Sequence, residues 1–245
     1  MLSFEEIKKI ADQIENGGFE RIPPQEVAKL IDHTNLNAFT VKKDIEKLVE
    51  EAIKYGFYSV CVNPVNVKLV KEISGSSGLK VCSVSGFPLG QNTLEIKIRE
   101  TERAVDDGAD EIDMVINVGK LKDGDLDYVG TEISALKKVC GEKVLKVIIE
   151  CCYLSDEEKV LATKLCVDHG ADFVKTSTGF GKSGATVYDV LLLNSAGGGK
   201  IKVKAAGGIR TYEDALKMVK AGAARIGASK SVDIVTGGGA KDSVY

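Results

Sequence analysis

Eight short runs of β-branched and apolar residues recur along this chain, and segments with helical spacing separate them. The runs lie near 29–33, 59–62, 80–84, 111–116, 144–149, 172–176, 201–205 and 224–227. Intervals of roughly 22–33 residues, with helical spacing in the gaps, imply right-handed βαβ units and therefore parallel strands. The helical pattern is clearest over Val41–Lys54, Thr93–Asp107, Asp156–His169 and Tyr212–Ala221. Ser155 ahead of Asp156-Glu157-Glu158, and Thr211 with Asp214 three residues on, are helix-start signals. The length of 245 residues matches a closed (β/α)8 TIM barrel, typically about 250 residues. A doubly wound open sheet fits less well, because no GxGxxG turn follows the first run and the repeat is even. The expected organisation is one α/β barrel domain over 29–236. A helical extension at 1–28 precedes it, interrupted at Gly17-Gly18 and Pro23-Pro24, and a glycine-rich tail at 237–245 follows.

Composition narrows what such a barrel does. A net charge of −3 provides no basic field for nucleic acid or a membrane surface. No apolar run approaches the roughly 20 residues of a transmembrane helix, and the N-terminus reads as an amphipathic helix rather than a signal peptide. The expectation is a cytoplasmic protein. The six cysteines show no CxxC spacing and several sit in apolar runs, so they read as small buried hydrophobes. Two histidines far apart in sequence, His33 and His169, make a His-rich metal site hard to assemble.

Charged residues sit where the barrel should be packed. Alternate residues of each barrel strand point inward, and active sites lie at the strands' C-terminal ends. Asp113 stands within Glu111–Asn117, Lys146 within Val144–Glu150, Lys175 within Phe173–Thr176, and Lys204 within Ile201–Ala206. An isolated ammonium is costly to desolvate, so four consecutive charged strands about 4.8 Å apart imply a shared polar interior. Asp113 is expected to balance Lys146 or Lys204. Two lysines close together are expected to push at least one pKa down, and a neutral lysine is what imine formation requires. The rival reading is a purely structural ion-pair network.

A phosphate grip reads separately. Gly179-Phe180-Gly181, Gly207-Gly208 and Gly227-Ala228-Ser229 follow three successive strands. Barrels often bind phosphate with these last loops and the N-terminus of a short helix, which the pattern places over Ser229–Val235. Asp32-His33-Thr34 closes the first strand as site lining or a cap, and Glu150, ending the fifth strand, reads as either a polar orienting group or a solvated rim residue and is left unassigned. Cys61 lies near the mouth, but thiol chemistry is not expected there without a neighbouring histidine.

The stretches Val174-Lys175-Thr176-Ser177-Thr178-Gly179-Phe180-Gly181 and Val203-Lys204-Ala205-Ala206-Gly207-Gly208-Ile209-Arg210 resemble the two lysine motifs of the deoxyribose-phosphate aldolases. Glu111–Asn117, Lys146–Glu150, Ile31–Thr34 and Cys61–Pro64 resemble other strands of that family, and the likeness runs from residue 25 onward. The resemblance implies a metal-free, cofactor-free class I aldolase of nucleoside breakdown. It would cleave 2-deoxy-D-ribose 5-phosphate reversibly to acetaldehyde and D-glyceraldehyde 3-phosphate. By the same resemblance Lys175 forms the Schiff base, Lys204 lowers its pKa, and Asp113 with Lys204 relays protons through water. Lys146 would hold the carbinolamine, while Gly179, Gly207, Gly208 and Ser229 would bind the phosphate. Tyr245, on a mobile tail, would assist proton exchange; read without the family it is simply a chain terminus. Phe180 stands where some relatives carry lysine, and Lys230 where many carry a small residue. The alternatives are another Schiff-base sugar-phosphate aldolase and a non-catalytic phosphosugar-binding barrel. A homodimer or larger homo-oligomer is left open.

Overall fold

Parallel strands need a crossover of a dozen or more residues, and here each crossover carries a helix. The structure, a computed structural model, describes residues 1–18 and 21–237. Two helices come first, α1 (Phe4–Asn16) and α2 (Pro24–Ala28). The first half of the barrel is β1 (Ile31–Asn35), α3 (Lys42–Tyr55), β2 (Ser59–Val62), α4 (Val67–Ser74), β3 (Lys80–Ser85), α5 (Leu94–Asp106) and β4 (Glu111–Val115). After α6 (Val118–Lys122) and α7 (Leu126–Cys140) come β5 (Val144–Ile148), α8 (Asp156–Asp168), β6 (Phe173–Lys175) and α9 (Val187–Gly197). The second half ends with β7 (Lys202–Ala206), α10 (Tyr212–Lys220), β8 (Arg225–Ala228) and α11 (Ser231–Thr236). The strands pair in chain order and β1 closes on β8, so the sheet is a closed parallel barrel.

The period of two explains how one barrel holds two kinds of interior. Val60, Val62, Val81, Ile112, Met114, Leu145, Val147, Val174, Val203 and Ile226 face outward into the large apolar layer beneath the helices. Each such burial is worth about 1.5–3 kcal/mol, so this outer layer carries the hydrophobic stabilisation. The alternate positions Cys61, Cys82, Asp113, Lys146, Lys175 and Lys204 are buried outside that layer, and several face one another within the barrel. Capping boxes start α1, α8 and α10, through Ser3 with Glu6, Ser155 with Glu158, and Thr211 with Asp214.

The N-terminal extension is docked. Ile7 of α1 packs with Val160 and Leu192, and Glu15 pairs with Lys217 at 2.7 Å. Val27 and Ala28 of α2 join the main core. Two boundaries differ from expectation. Lys29 caps α2, so β1 begins at Ile31, and the last helix begins at Ser231, after Lys230. Tyr245 lies outside the described residues.

Candidate active site

A chain of alternating charge runs through the barrel. Arg225, first residue of β8, donates to Asp32 at 2.6 Å and to Glu111 at 3.2 Å, with its guanidinium 3.4 Å from the Tyr58 ring centroid. Asp32 meets Lys204 at 2.5 Å, and Glu111 meets Lys146 at 2.5 Å. Both lysines then converge on Asp113, Lys204 on Oδ2 at 2.7 Å and Lys146 on Oδ1 at 2.9 Å. Lys175 ends the chain at the C-terminal end of β6, with its Nζ 2.7 Å from Asp113 Oδ2. Register builds this contact set, because Asp113 pairs with Lys146 across β4–β5 and Lys175 with Lys204 across β6–β7. Each of these seven residues is at most 5% exposed.

The electrostatics follow from the count. Lys146, Lys175, Lys204 and Arg225 set four cations against the three carboxylates of Asp32, Glu111 and Asp113. Burial alone would push Asp113 toward neutrality. The ammonium groups of Lys146, Lys175 and Lys204 outweigh that and hold its carboxyl well below the ordinary range. Asp32 is also lowered, by Lys204, Lys146 and Arg225 against its own burial. Desolvation works to lower Lys146 and Lys204, yet Asp113 and Asp32 raise both. For these two lysines the carboxylate attraction prevails over burial and over their mutual repulsion. The cation with the fewest ties is Lys175, whose only ion-pair partner among the described residues is Asp113.

The loop after β6 lies against the loop after β7. Gly179, Gly207 and Gly208 all have positive φ, at 86°, 84° and 77°, a region glycine enters without steric cost. A Cβ on Gly207 would stand 3.0 Å from the Gly184 Cα and 3.3 Å from the Gly179 Cα. Side chains here would therefore part the two loops. The Ala185 N–H donates to the carbonyls of Ala206 and Gly207, at 3.1 and 3.0 Å, fixing the approach. Gly179, Gly208 and Ser229 are exposed, and Ser229 follows β8, the neighbour of β7. Phe180 is exposed and packs edge-on against Phe87, with centroids 5.4 Å apart.

Three groups gain roles that sequence left open or missed. Glu150 is the one described non-glycine residue with positive φ, 54°. Its carboxylate accepts a very short hydrogen bond from the Thr178 hydroxyl and another from the Thr178 N–H at 3.2 Å. It thus braces the residue before Gly179. The Ser177 hydroxyl is fully buried and has no hydrogen-bond partner among the described residues, a group that substrate or water would satisfy. His33 binds Ser231 Oγ and Glu51 at 2.9 Å each, tying the end of β1 to α11 and α3. Glu111 was legible by parity with Asp113. Arg225 was not, since an arginine opening a strand usually meets solvent.

The residues 26–238 match the model of the DeoC/LacD family of aldolases. A deoxyribose-phosphate aldolase of Thermococcus gammatolerans is 58% identical over 216 residues, covering 86% of this chain and 96% of that protein. Among solved structures, the aldolase QR15 is 44% identical with a TM-score of 0.83, covering 86% of this chain and 94% of its own. The deoxyribose phosphate aldolase of Aeropyrum pernix, whose structure is tetrameric, is 32% identical with a TM-score of 0.81, covering 96% and 97%. No helix among the described residues is long and apolar enough to cross a membrane.

Proposed function

The chain belongs to the DeoC/LacD aldolase family, and we propose that it is a deoxyribose-phosphate aldolase acting through an imine on Lys175. The observation that carries the assignment of Lys175 is the surplus cation at the mouth end of the buried charge chain. It is the one lysine of the network at the C-terminal end of its strand, the end where a carbonyl substrate enters such a barrel.

In this reading the Lys175 nitrogen adds to the aldehyde carbon of 2-deoxy-D-ribose 5-phosphate. The carbinolamine loses water and leaves a protonated imine, which draws the electrons of the C3–C4 bond as that bond breaks. Proton transfers fall to Asp113 and Lys204, both within 2.7 Å contact distance of one another, acting through water as acid and base. Lys146 holds Asp113 from its other oxygen and keeps the carboxylate oriented. D-Glyceraldehyde 3-phosphate leaves, the enamine takes a proton, and hydrolysis returns acetaldehyde and free Lys175. Phosphate is received by the N–H groups of the loops bearing Gly179, Gly207, Gly208 and Ser229. That remote contact supplies orientation for the chemical step. Tyr245 is assigned to the enamine proton exchange.

The domain limits proposed are the barrel over 29–236 with the extension and tail on either side. We assign the protein to the cytoplasm, since all six cysteines are free thiols, as in a reducing compartment. Self-association is proposed by analogy with the tetrameric Aeropyrum pernix relative. The test of function is borohydride reduction in the presence of 2-deoxyribose 5-phosphate, followed by peptide mass mapping. The adduct is expected on the Lys175 peptide. An adduct on another lysine overturns the assignment of the nucleophile, and no adduct overturns imine chemistry altogether.

A further inference from the structure

The inner wall of the barrel carries two cysteines that the aldol chemistry leaves unused. Cys61 on β2 and Cys82 on β3 are direct register partners. Neighbouring strands lie about 4.8 Å apart, within the Cα separation a disulfide spans. The two sulfurs and an Asp113 carboxylate oxygen all lie within 4.8 Å of one another. Cys82 donates to Asp113 Oδ1 at 3.2 Å, and Lys146 Nζ lies 3.5 Å from its sulfur. The absence of a nearby histidine made thiol chemistry unexpected at Cys61; a second sulfur within reach gives it a different partner.

From this juxtaposition we infer that Cys61 and Cys82 form an oxidisable pair, converted by hydrogen peroxide to a reversible disulfide that disables the site beside Asp113. The Cys61 sulfur attacks one peroxide oxygen. The S–O bond forms as the O–O bond breaks, leaving sulfenic acid, and the departing hydroxide takes the thiol proton as water. The Cys82 sulfur then attacks the Cys61 sulfur, and the S–S bond forms as the S–O bond breaks. The Cys82 proton leaves with that hydroxide as a second water. Two thiols and one peroxide give a disulfide and two waters, and two equivalents of an added thiol reverse it.

The surroundings separate the roles of the two sulfurs. The neighbouring Cys82 thiol lowers the Cys61 thiol against its burial, with Lys204 and Lys175 adding to the effect. Burial, Cys61 and Asp113 push the Cys82 thiol well up. Cys61 is thus the attacking sulfur and Cys82 the resolving one. Both are fully buried, but the mouth must admit a sugar phosphate to Lys175, and peroxide is far smaller. A thiophilic cation in the same place would add charge where cations already outnumber carboxylates, whereas a disulfide is neutral. Coupling removes the S–H that Asp113 accepts, which disturbs the carboxylate shared by three lysines.

The experiment treats the intact protein with hydrogen peroxide, blocks free thiols with N-ethylmaleimide, and maps peptides without reduction. The expected result is a cross-link between the tryptic peptides 55–68 and 81–97 and a fall from six free thiols to four. Activity should fall about fivefold or more and return with dithiothreitol. Cys82→Ser should lose both the cross-link and the recovery, leaving Cys61 over-oxidised. Full alkylation of Cys61 and Cys82 after peroxide, with oxidation confined to the partly exposed Cys152, overturns the inference. So does irreversible Cys61 oxidation in the wild-type chain without a link to Cys82.

Discussion

Two sets of buried charges sit a strand apart in this molecule and behave oppositely. Lys97 of α5 and Glu132 of α7 are fully buried outside the barrel and pair at 2.6 Å. Lys97 also donates to the Val115 carbonyl at 2.8 Å, and Glu132 accepts from the Asn117 N–H at 2.6 Å. That pair is closed, one cation to one carboxylate, and it clamps the end of β4. Burial there lowers Lys97 and raises Glu132, outweighing their mutual attraction. Inside the barrel the balance reverses, and Asp113, Lys146 and Lys204 are held in their charged forms. Buried charge alone therefore does not mark a catalytic group. What sets the barrel apart is an uneven set of charges with one member, Lys175, at the mouth.

The comparison breaks first at Lys175. Lys175→Met removes the surplus cation, so catalysis should drop on the order of 10³-fold or more while the unfolding free energy holds or rises. A marked loss of stability in urea titration would show that Lys175 is a structural member of the network. Lys97→Met should do the reverse. It strands Glu132 in the interior and costs about 3–5 kcal/mol of stability. Adding Glu132→Gln should recover most of that, because an amide still accepts from Asn117 and can donate to Val115. A double variant no more stable than the single would show that the pair is not the closed unit described.

Lys204→Leu tests the shared carboxylate. It removes one of the two lysine nitrogens that meet Asp113 Oδ2, the other being Lys175, so imine trapping with 2-deoxyribose 5-phosphate should slow about tenfold or more. The trapping rate reads this directly, and an unchanged rate removes the role of Lys204. The smallest effect is expected at His33, where burial outweighs Glu51 and lowers the imidazole below its usual 6.5. Between that lowered value and 6.5 the unfolded chain binds more protons, so stability falls as pH drops through the window. The slope for one proton is at most about 1.4 kcal/mol per pH unit. His33→Gln should flatten it in urea titrations at stepped pH; an unchanged slope assigns the effect to other groups.

Most of the barrel was legible because its two periods are strong. Every strand run was placed within a few residues, since outward Val, Ile and Leu alternate with small or polar inward groups. Asp113, Lys146, Lys175 and Lys204 stood out because charge within apolar runs is costly. Asp32 was read as lining or a cap because it adjoins a strand end, and its salt bridge to Lys204 depends on closure of β1 onto β8. The same closure brings Arg225 to Asp32. A local pattern cannot display a contact between residues 193 positions apart. Cys82 was hidden for a related reason, since its neighbour Cys61 is a register partner across two strands rather than a sequence motif.

The depth of the charge chain also governs how the protein meets ionic strength. Salt at 0.15 M screens exposed charges beyond about 8 Å, but buried ion pairs at contact distance, such as these side chains at most 5% exposed, are screened much less. The glycine loops, by contrast, open to solvent. On the phosphate role proposed for these loops, added chloride should weaken capture of that end of a substrate while changing the acid–base character of the barrel interior far less, so that a single solute separates recognition from chemistry.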